Sequence, residues 1–289
     1  MEEKPKKNIF YTVIRVILPP IIYFLIQYGV IFAAMAFWAW QAKSLSGTDY
    51  AGYGSAGALA KHMVYSSYLT YALAAAVVCA LIMSLTMEKD EKTRTWHYVR
   101  EEVRAKYLYI VLMLGGASIA GNMILIRLGV TEASESFQEV QELLSGGSPY
   151  MILLSVGIIV PICEEIIYRG LVYVRLRDVM RPAWAMIISA LMFAIAHGNL
   201  PQGIFAFGLG LLLAFSYERY GTLAAPCLGH ISANILSSTG SLMADDPMPG
   251  FAISVAAAVI AMAAGVIIIM KRVRGGVISP KSAEIGDGI

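Results

Sequence analysis

Residues 149–173, PYMILLSVGIIVPICEEIIYRGLVY, are long and apolar enough to cross a bilayer, yet they include two glutamates and an arginine. A spanning helix needs about 20 mostly apolar residues. Each charged side chain at the bilayer centre costs about 2.5 to 3.5 kcal/mol on insertion scales. Glu164, Glu165 and Arg169 would together cost about 9 kcal/mol in contact with lipid. We therefore expect these three side chains to face the interior of a helical bundle.

The composition of the 289-residue chain predicts an all-α, polytopic membrane protein. Hydrophobic residues make up 58% of the chain and charged residues only 15%, a balance that soluble domains of this length do not show. The net charge of +2 is small and scattered, which argues against nucleic-acid binding. Three single cysteines, Cys79, Cys163 and Cys227, lie in apolar segments and do not suggest a disulfide framework.

Hydropathy predicts about eight transmembrane helices in a single membrane domain that covers residues 1–289. Their expected positions are about 14–40, 63–87, 107–129, 149–173, 183–199, 202–218, 222–241 and 251–270. With eight crossings, eighteen of the 22 Lys and Arg residues fall on the side of the two termini. Because cations collect in cytoplasmic loops, both termini are predicted to be cytoplasmic. Residues 275–289 are expected to form a mobile tail.

Basic inner loops without an organelle signal favour the plasma membrane of a bacterium.

The expected depths of Glu164 and His197 in the membrane conflict with a site that contains both residues. A fifth helix that begins at about Arg181 and runs to the opposite surface would place His197 near its outer end. Glu164 would then lie about 15 Å away in depth, at 1.5 Å per residue.

Helical spacing divides the three charges of the opening segment into a pair and a single carboxylate. Glu165 and Arg169 are four residues apart, so they lie on one helical face and can neutralise each other. Glu164 is rotated by about 100° from Glu165. It is therefore expected to lack a cation on its own helix, and a buried carboxylate without a cation suits a general base that works near neutral pH.

Later helices supply possible partners for Glu164. Phe193 and His197 are four residues apart in the predicted fifth helix, and His230 and Asn234 are four apart in the seventh. A carboxylate, two imidazoles and a carboxamide from three helices could provide a base, a second acid–base group and hydrogen-bond donors for an oxyanion. We place this catalytic core at about residues 149–241.

These motifs, Glu164-Glu165-x-x-x-Arg169, Phe193-x-x-x-His197 and His230-x-x-x-Asn234, resemble those of the CPBP family of CAAX proteases and bacteriocin-processing membrane proteins. One small departure is Tyr168, where many relatives have Phe.

The resemblance implies hydrolysis of a peptide bond inside the membrane without a covalent intermediate. Glu164 would be the general base, His197 would help it to activate water, and His230 with Asn234 would hold the oxyanion. Glu165, Arg169 and Phe193 would support the site. The implied partners are the lipid bilayer and a peptide or prenylated peptide.

Two alternatives remain open from the sequence. In the first, Glu164, His197 and His230 form a zinc site, although the favoured interpretation requires no cofactor and the HExxH signature is absent. In the second, the chain is a non-enzymatic immunity or peptide-binding protein of the membrane. A cysteine nucleophile is disfavoured, because Cys163 has no base on its own helical face.

Overall fold

The fold was analysed in a computed structural model, which describes residues 9–44, 55–103, 106–145, 147–243, 247–273 and 278–280. This part of the chain folds into ten helices and a two-stranded antiparallel sheet. The helices are α1 Ile9–Ser44, α2 Ala56–Ser66, α3 Tyr68–Thr93, α4 Tyr107–Arg127, α5 Glu135–Ser145, α6 Pro149–Arg177, α7 Pro182–Ile195, α8 Leu200–Tyr220, α9 Ala224–Met243 and α10 Met248–Arg272. The strands are β1 Trp96–Tyr98 and β2 Ile278–Pro280.

The predicted fold class is confirmed: the protein is an all-α, multi-pass membrane protein. Six of the helices are long and apolar enough to span a bilayer, namely α1, α3, α4, α6, α8 and α10. Large apolar side chains such as Phe32, Leu85 and Ile260 point outward and are exposed, as expected of surfaces that contact lipid. The cytoplasmic placement of the termini stays a prediction.

The remaining two predicted spans are helical but less suited to crossing alone. Helix α7 is a shorter apolar helix, and α9 carries His230, Asn234 and a Ser/Thr-rich end that lower its hydropathy. Most of the predicted mobile tail lies outside the described residues. Its described part, residues 278–280, forms β2 and pairs with β1.

The expectation that His197 lies near the opposite surface of the membrane was wrong, because α7 is short. With 14 residues, α7 rises about 21 Å, less than the roughly 30 Å hydrocarbon core. Gly198, at a φ of +73°, ends this helix, and the Asn199 side chain caps α8 by accepting from Gln202 N at 3.0 Å. His197 therefore lies about 22 Å from the start of α7, and Glu164 lies about 20 Å from the adjacent end of α6. The predicted 15 Å offset disappears.

Helix α6 is not a regular α-helix around its acidic residues. Two π-helical segments, Leu153–Ile159 and Ile166–Tyr173, flank the α-helical turn Val160–Glu165. Pro161 lies in that turn and has no N–H group to donate, which favours a local change of helical geometry. Insertions of π-helix are rare and frequently mark functional sites.

The ends of α3, α6, α8 and α10 and the start of α4 meet at one end of the bundle, which we call the cationic end. Glu218 accepts hydrogen bonds there from Tyr98 at 2.7 Å, from Tyr173 at 2.6 Å and from both Arg177 Nε and Nη2. Burial, with Tyr173 and Glu218 nearby, raises the pKa of Tyr98, so its phenol stays protonated and donates. These contacts join β1 to two transmembrane helices, α6 and α8.

Gly221 fixes the end of α8 against the segment after β1. Its φ is +65°, and a Cβ atom there would lie 2.6 Å from the Val99 carbonyl oxygen. We expect Gly221→Ala to lower the thermal unfolding temperature through both backbone strain and this clash. Gly129→Ala is the matched control, because Gly129 has a φ of +67° but nothing within 4 Å of a built Cβ. Equal losses in the two variants would contradict the packing contribution.

Candidate active site

A fully buried ion pair forms the centre of the site. Arg169 Nη1 donates to Glu165 Oε1 at 2.7 Å, and neither side chain has any exposed surface. Arg169 Nη2 also donates to the Gly210 carbonyl oxygen at 3.2 Å, and the guanidinium carbon lies 4.7 Å from the centre of the Phe193 ring. The pairing that the spacing predicted is therefore present, and it is enclosed by α7 and α8.

Glu165 also binds His230, across the interface between α6 and α9. His230 Nδ1 lies 2.8 Å from Glu165 Oε1. Because Glu165 is paired with a guanidinium, its carboxylate accepts this hydrogen bond, and Nδ1 carries the proton. The other ring nitrogen, Nε2, lies 3.8 Å from Glu164 Oε2. Arg169, Glu165, His230 and Glu164 thus form one continuous row of charged and polar groups.

The two adjacent glutamates differ sharply in their access to solvent. The Glu164 side chain is 16% exposed, whereas that of Glu165 is completely buried. The one-residue step along α6 turns Glu164 away from Arg169, as predicted. The structure therefore separates a completely buried, paired carboxylate from one that is partly exposed.

Phe193 joins the two histidines of the site. Its ring contacts the imidazoles of His197 and His230 edge-on, with centroid distances of 4.8 and 5.6 Å, and Tyr168 packs on it at 5.1 Å. The ring of Tyr168 thus takes part in this packing. Phe193 is buried and is a structural member of the site.

His197 is oriented by its own helix. Its Nδ1 lies 2.8 Å from the Phe193 carbonyl oxygen, and because a carbonyl can only accept, Nδ1 carries the proton. The neutral ring therefore has an unprotonated Nε2, which can accept a proton. His197 makes no hydrogen bond or ion pair with Glu164 in the described residues, so the structure does not bring these two side chains into direct contact.

Asn234 lies on α9, one turn beyond His230. Its Nδ2 donates to the Val156 carbonyl oxygen at 2.9 Å, within the first π-helical segment of α6. A carboxamide nitrogen carries two protons, so one donor remains for another acceptor. The carboxamide is thereby held in a fixed orientation by the irregular part of α6.

The residues do not fit the alternative zinc site. The rings of His197 and His230 pack against the same Phe193 ring, and no hydrogen bond or ion pair joins His197 to Glu164 in the described residues. Across the described residues, no group of three or more His, Cys, Asp or Glu side chains is arranged to hold a metal ion. Cys163 is completely buried beside Glu164, as expected of a core residue.

Several contacts of the site were not predicted from the sequence. The Glu165–His230, Arg169–Gly210 and Asn234–Val156 hydrogen bonds all join residues far apart in the chain. The Ser189 hydroxyl, which donates to the Tyr168 carbonyl oxygen at 2.9 Å, was also missed. Its only sequence signal is a polar residue within an apolar helix.

Comparisons with known proteins agree with the motifs. The family described as type II CAAX prenyl endopeptidase Rce1-like matches residues 146–236, which contain all three motifs. The Bacillus subtilis (strain 168) protein named "Putative membrane peptidase YdiL" is 25% identical over 162 residues, which cover 55% of this chain and 66% of the relative. No solved structure matches the chain. In this matched segment, which carries all three motifs, the chain is similar to the CPBP family.

Proposed function

We propose that the protein is an intramembrane endopeptidase in which Glu164 activates a water molecule. The observation that carries this proposal is the contrast between the two glutamates: Glu165 is completely buried and paired with Arg169, while Glu164 is partly exposed beside His230. The family match and the peptidase name of the relative support the general class. The proposed substrate is a peptide, with or without a prenyl group, at a bacterial plasma membrane.

In the proposed reaction, Glu164 takes a proton from water as the oxygen attacks the carbonyl carbon of the scissile peptide bond. His197 Nε2 accepts a hydrogen bond from the same water and orients it. The tetrahedral intermediate carries a negative oxygen; as the carbonyl re-forms, the C–N bond breaks and Glu164 returns the proton to the leaving amine. General base catalysis typically contributes about 10² to 10⁴ in rate.

His230 and Asn234 are the proposed donors to the oxyanion. His230 can donate from Nε2 only as an imidazolium, and the Glu165 carboxylate at 2.8 Å offsets that charge. Asn234 contributes its second amide proton. One oxyanion donor is typically worth about 10² to 10³ in rate. The reaction requires no metal in this proposal, since the carboxylate activates the water.

The proposal is tested with purified protein in detergent, using a set of prenylated and unprenylated peptides. We expect cleavage to persist after treatment with a metal chelator, and His230→Ala and His197→Ala each to lower kcat by about 10² or more. His62→Ala changes an exposed residue of α2; it is the control and should cleave at the wild-type rate. Activity that is lost on chelation and restored by zinc would refute the metal-independent mechanism.

A further inference from the structure

A cavity of about 810 Å³ opens at the cationic end of the bundle. All three residues of β1 line one part of its wall, and Gly170 of α6 lines another. The strand lies outside the transmembrane helices, between α3 and α4. Its backbone therefore belongs to a connecting segment and not to a spanning helix.

The cavity ends close to the proposed active site. Gly170 directly follows Arg169, and it lies about 9 Å along α6 from Glu164. A Cβ atom on Gly170 would lie 2.7 Å from Met87 Sδ and 3.4 Å from Leu223 Cδ1. Two flexible apolar side chains of the cavity wall, those of Met87 and Leu223, thus pack against Gly170, the residue next to the buried ion pair.

Side-chain hydrogen bonds fix β1 at this position. Trp96 Nε1 donates to Asp178 at 3.0 Å, and Tyr98 donates to Glu218 at 2.7 Å. Just after the strand, Glu101 N donates to the Tyr220 carbonyl oxygen at 2.8 Å. The strand is consequently a rigid edge whose backbone groups can pair with another extended chain.

The chain itself supplies such a partner. Residues Ile278–Pro280 pair with β1 in antiparallel register, with Ser279 opposite His97. Pairing of this kind recognises the extended backbone of a peptide rather than a particular side chain. A strand at the wall of a cavity that reaches Gly170, the residue next to the buried ion pair, therefore has the geometry of a substrate-docking edge.

We infer that β1 is the docking edge for an extended peptide substrate, and that β2 is a resident strand that competes with the substrate for it. This inference rests on the proposed function, because it names where the peptide of that reaction binds. When β2 leaves, the backbone groups of β1 become available and the peptide takes its place. The peptide then extends along the cavity toward Gly170 and Glu164.

The test locks β2 in place with a reversible cross-link. Directly opposed residues of an antiparallel pair have Cα atoms about 4.5 to 5.5 Å apart, within the range that a disulfide bridges. The variant carries His97→Cys and Ser279→Cys, and proteolytic fragments analysed by mass spectrometry report the bond. Each single cysteine variant is a matched control that retains Cys79, Cys163 and Cys227. Failure of the bond to form under oxidising conditions would overturn the inference.

Binding is measured separately from cleavage, with a fluorescent peptide and the double-cysteine variant that also carries Glu164→Gln. We expect oxidation to weaken peptide binding by about tenfold to a hundredfold, the effect of two or three lost backbone hydrogen bonds, and reduction to restore it. The single variants should bind equally in both states. Equal binding by the locked and reduced forms, or no binding by the reduced form, would overturn the inference.

The double-cysteine variant with an intact Glu164 separates this inference from the proposed function. We expect the reduced form to cleave the peptide and the oxidised form to cleave it more slowly. Redox-dependent binding without any cleavage would contradict the peptidase proposal but support the docking edge. Cleavage that is equal in both redox states would contradict the docking edge alone.

Discussion

Replacing Glu164 with Gln is expected to lower kcat for peptide cleavage by about 10² to 10⁴, the usual contribution of a general base. Glutamine has nearly the same shape as glutamate but cannot take a proton from water. The packing of α6 should therefore persist. Glu164 is the partly exposed one of the two adjacent glutamates, and Glu165 keeps its contacts with Arg169 and His230. The measurement is the initial rate of product formation by purified protein, with peptide in excess of KM.

Two controls make this result specific. Thermal unfolding of Glu164→Gln should occur near the wild-type temperature, which separates a chemical defect from misfolding. Glu139→Gln changes an exposed glutamate on α5 in the same way and should leave the rate unchanged. Wild-type cleavage by Glu164→Gln would show that another group activates the water.

The second large effect is expected on stability, from Arg169→Ala. Removing one partner of a buried ion pair leaves an uncompensated charge and typically costs about 3 to 5 kcal/mol. Here Glu165 would lose its cation in a completely buried environment, and Phe193 would lose the guanidinium above its ring. We expect a markedly lower unfolding temperature in detergent, together with loss of cleavage because Arg169 no longer holds Glu165, the hydrogen-bond partner of His230, in place.

A pair with the same spacing provides the comparison. Glu88 and Lys92 are also four residues apart on a helix, but their side chains are 58% and 73% exposed. Lys92→Ala should therefore change the unfolding temperature little, because exposed ion pairs contribute little to stability. Similar losses for Arg169→Ala and Lys92→Ala would contradict the role assigned to burial.

A double variant separates folding from chemistry at the buried pair. Replacing both Glu165 and Arg169 with Met removes the two charges together, and apolar replacements of a buried pair are often neutral or stabilising. We expect this variant to unfold at a higher temperature than Arg169→Ala. It should still fail to cleave peptide, since His230 Nδ1 has lost its acceptor. Restored cleavage would contradict the positioning role of Glu165.

Local spacing predicted much of the site. The four-residue interval between Glu165 and Arg169 predicted their contact, and the one-residue step to Glu164 predicted a carboxylate without a cation on its helix. The same rule placed His230 and Asn234 on one face of α9. These are properties of a single helix, so hydropathy and helical geometry were sufficient to predict them.

Contacts between helices could not be predicted in this way. The Glu165–His230 hydrogen bond joins residues 65 positions apart, and it depends on how α6 packs against α9. The π-helical segments around Glu164 also change the orientation of the side chains on α6. The early end of α7 did have a local signal in Gly198, Asn199 and Pro201, which together are typical of a helix end followed by a capped helix start.

The most direct measurement compares wild-type and Glu164→Gln protein, reconstituted side by side into metal-stripped lipid vesicles. The substrates are membrane-anchored peptides, and mass spectrometry identifies the products. The account predicts discrete hydrolysis products that form with wild-type protein and are reduced by about 10² or more with Glu164→Gln. Products that form equally with both proteins, or with neither, would contradict it.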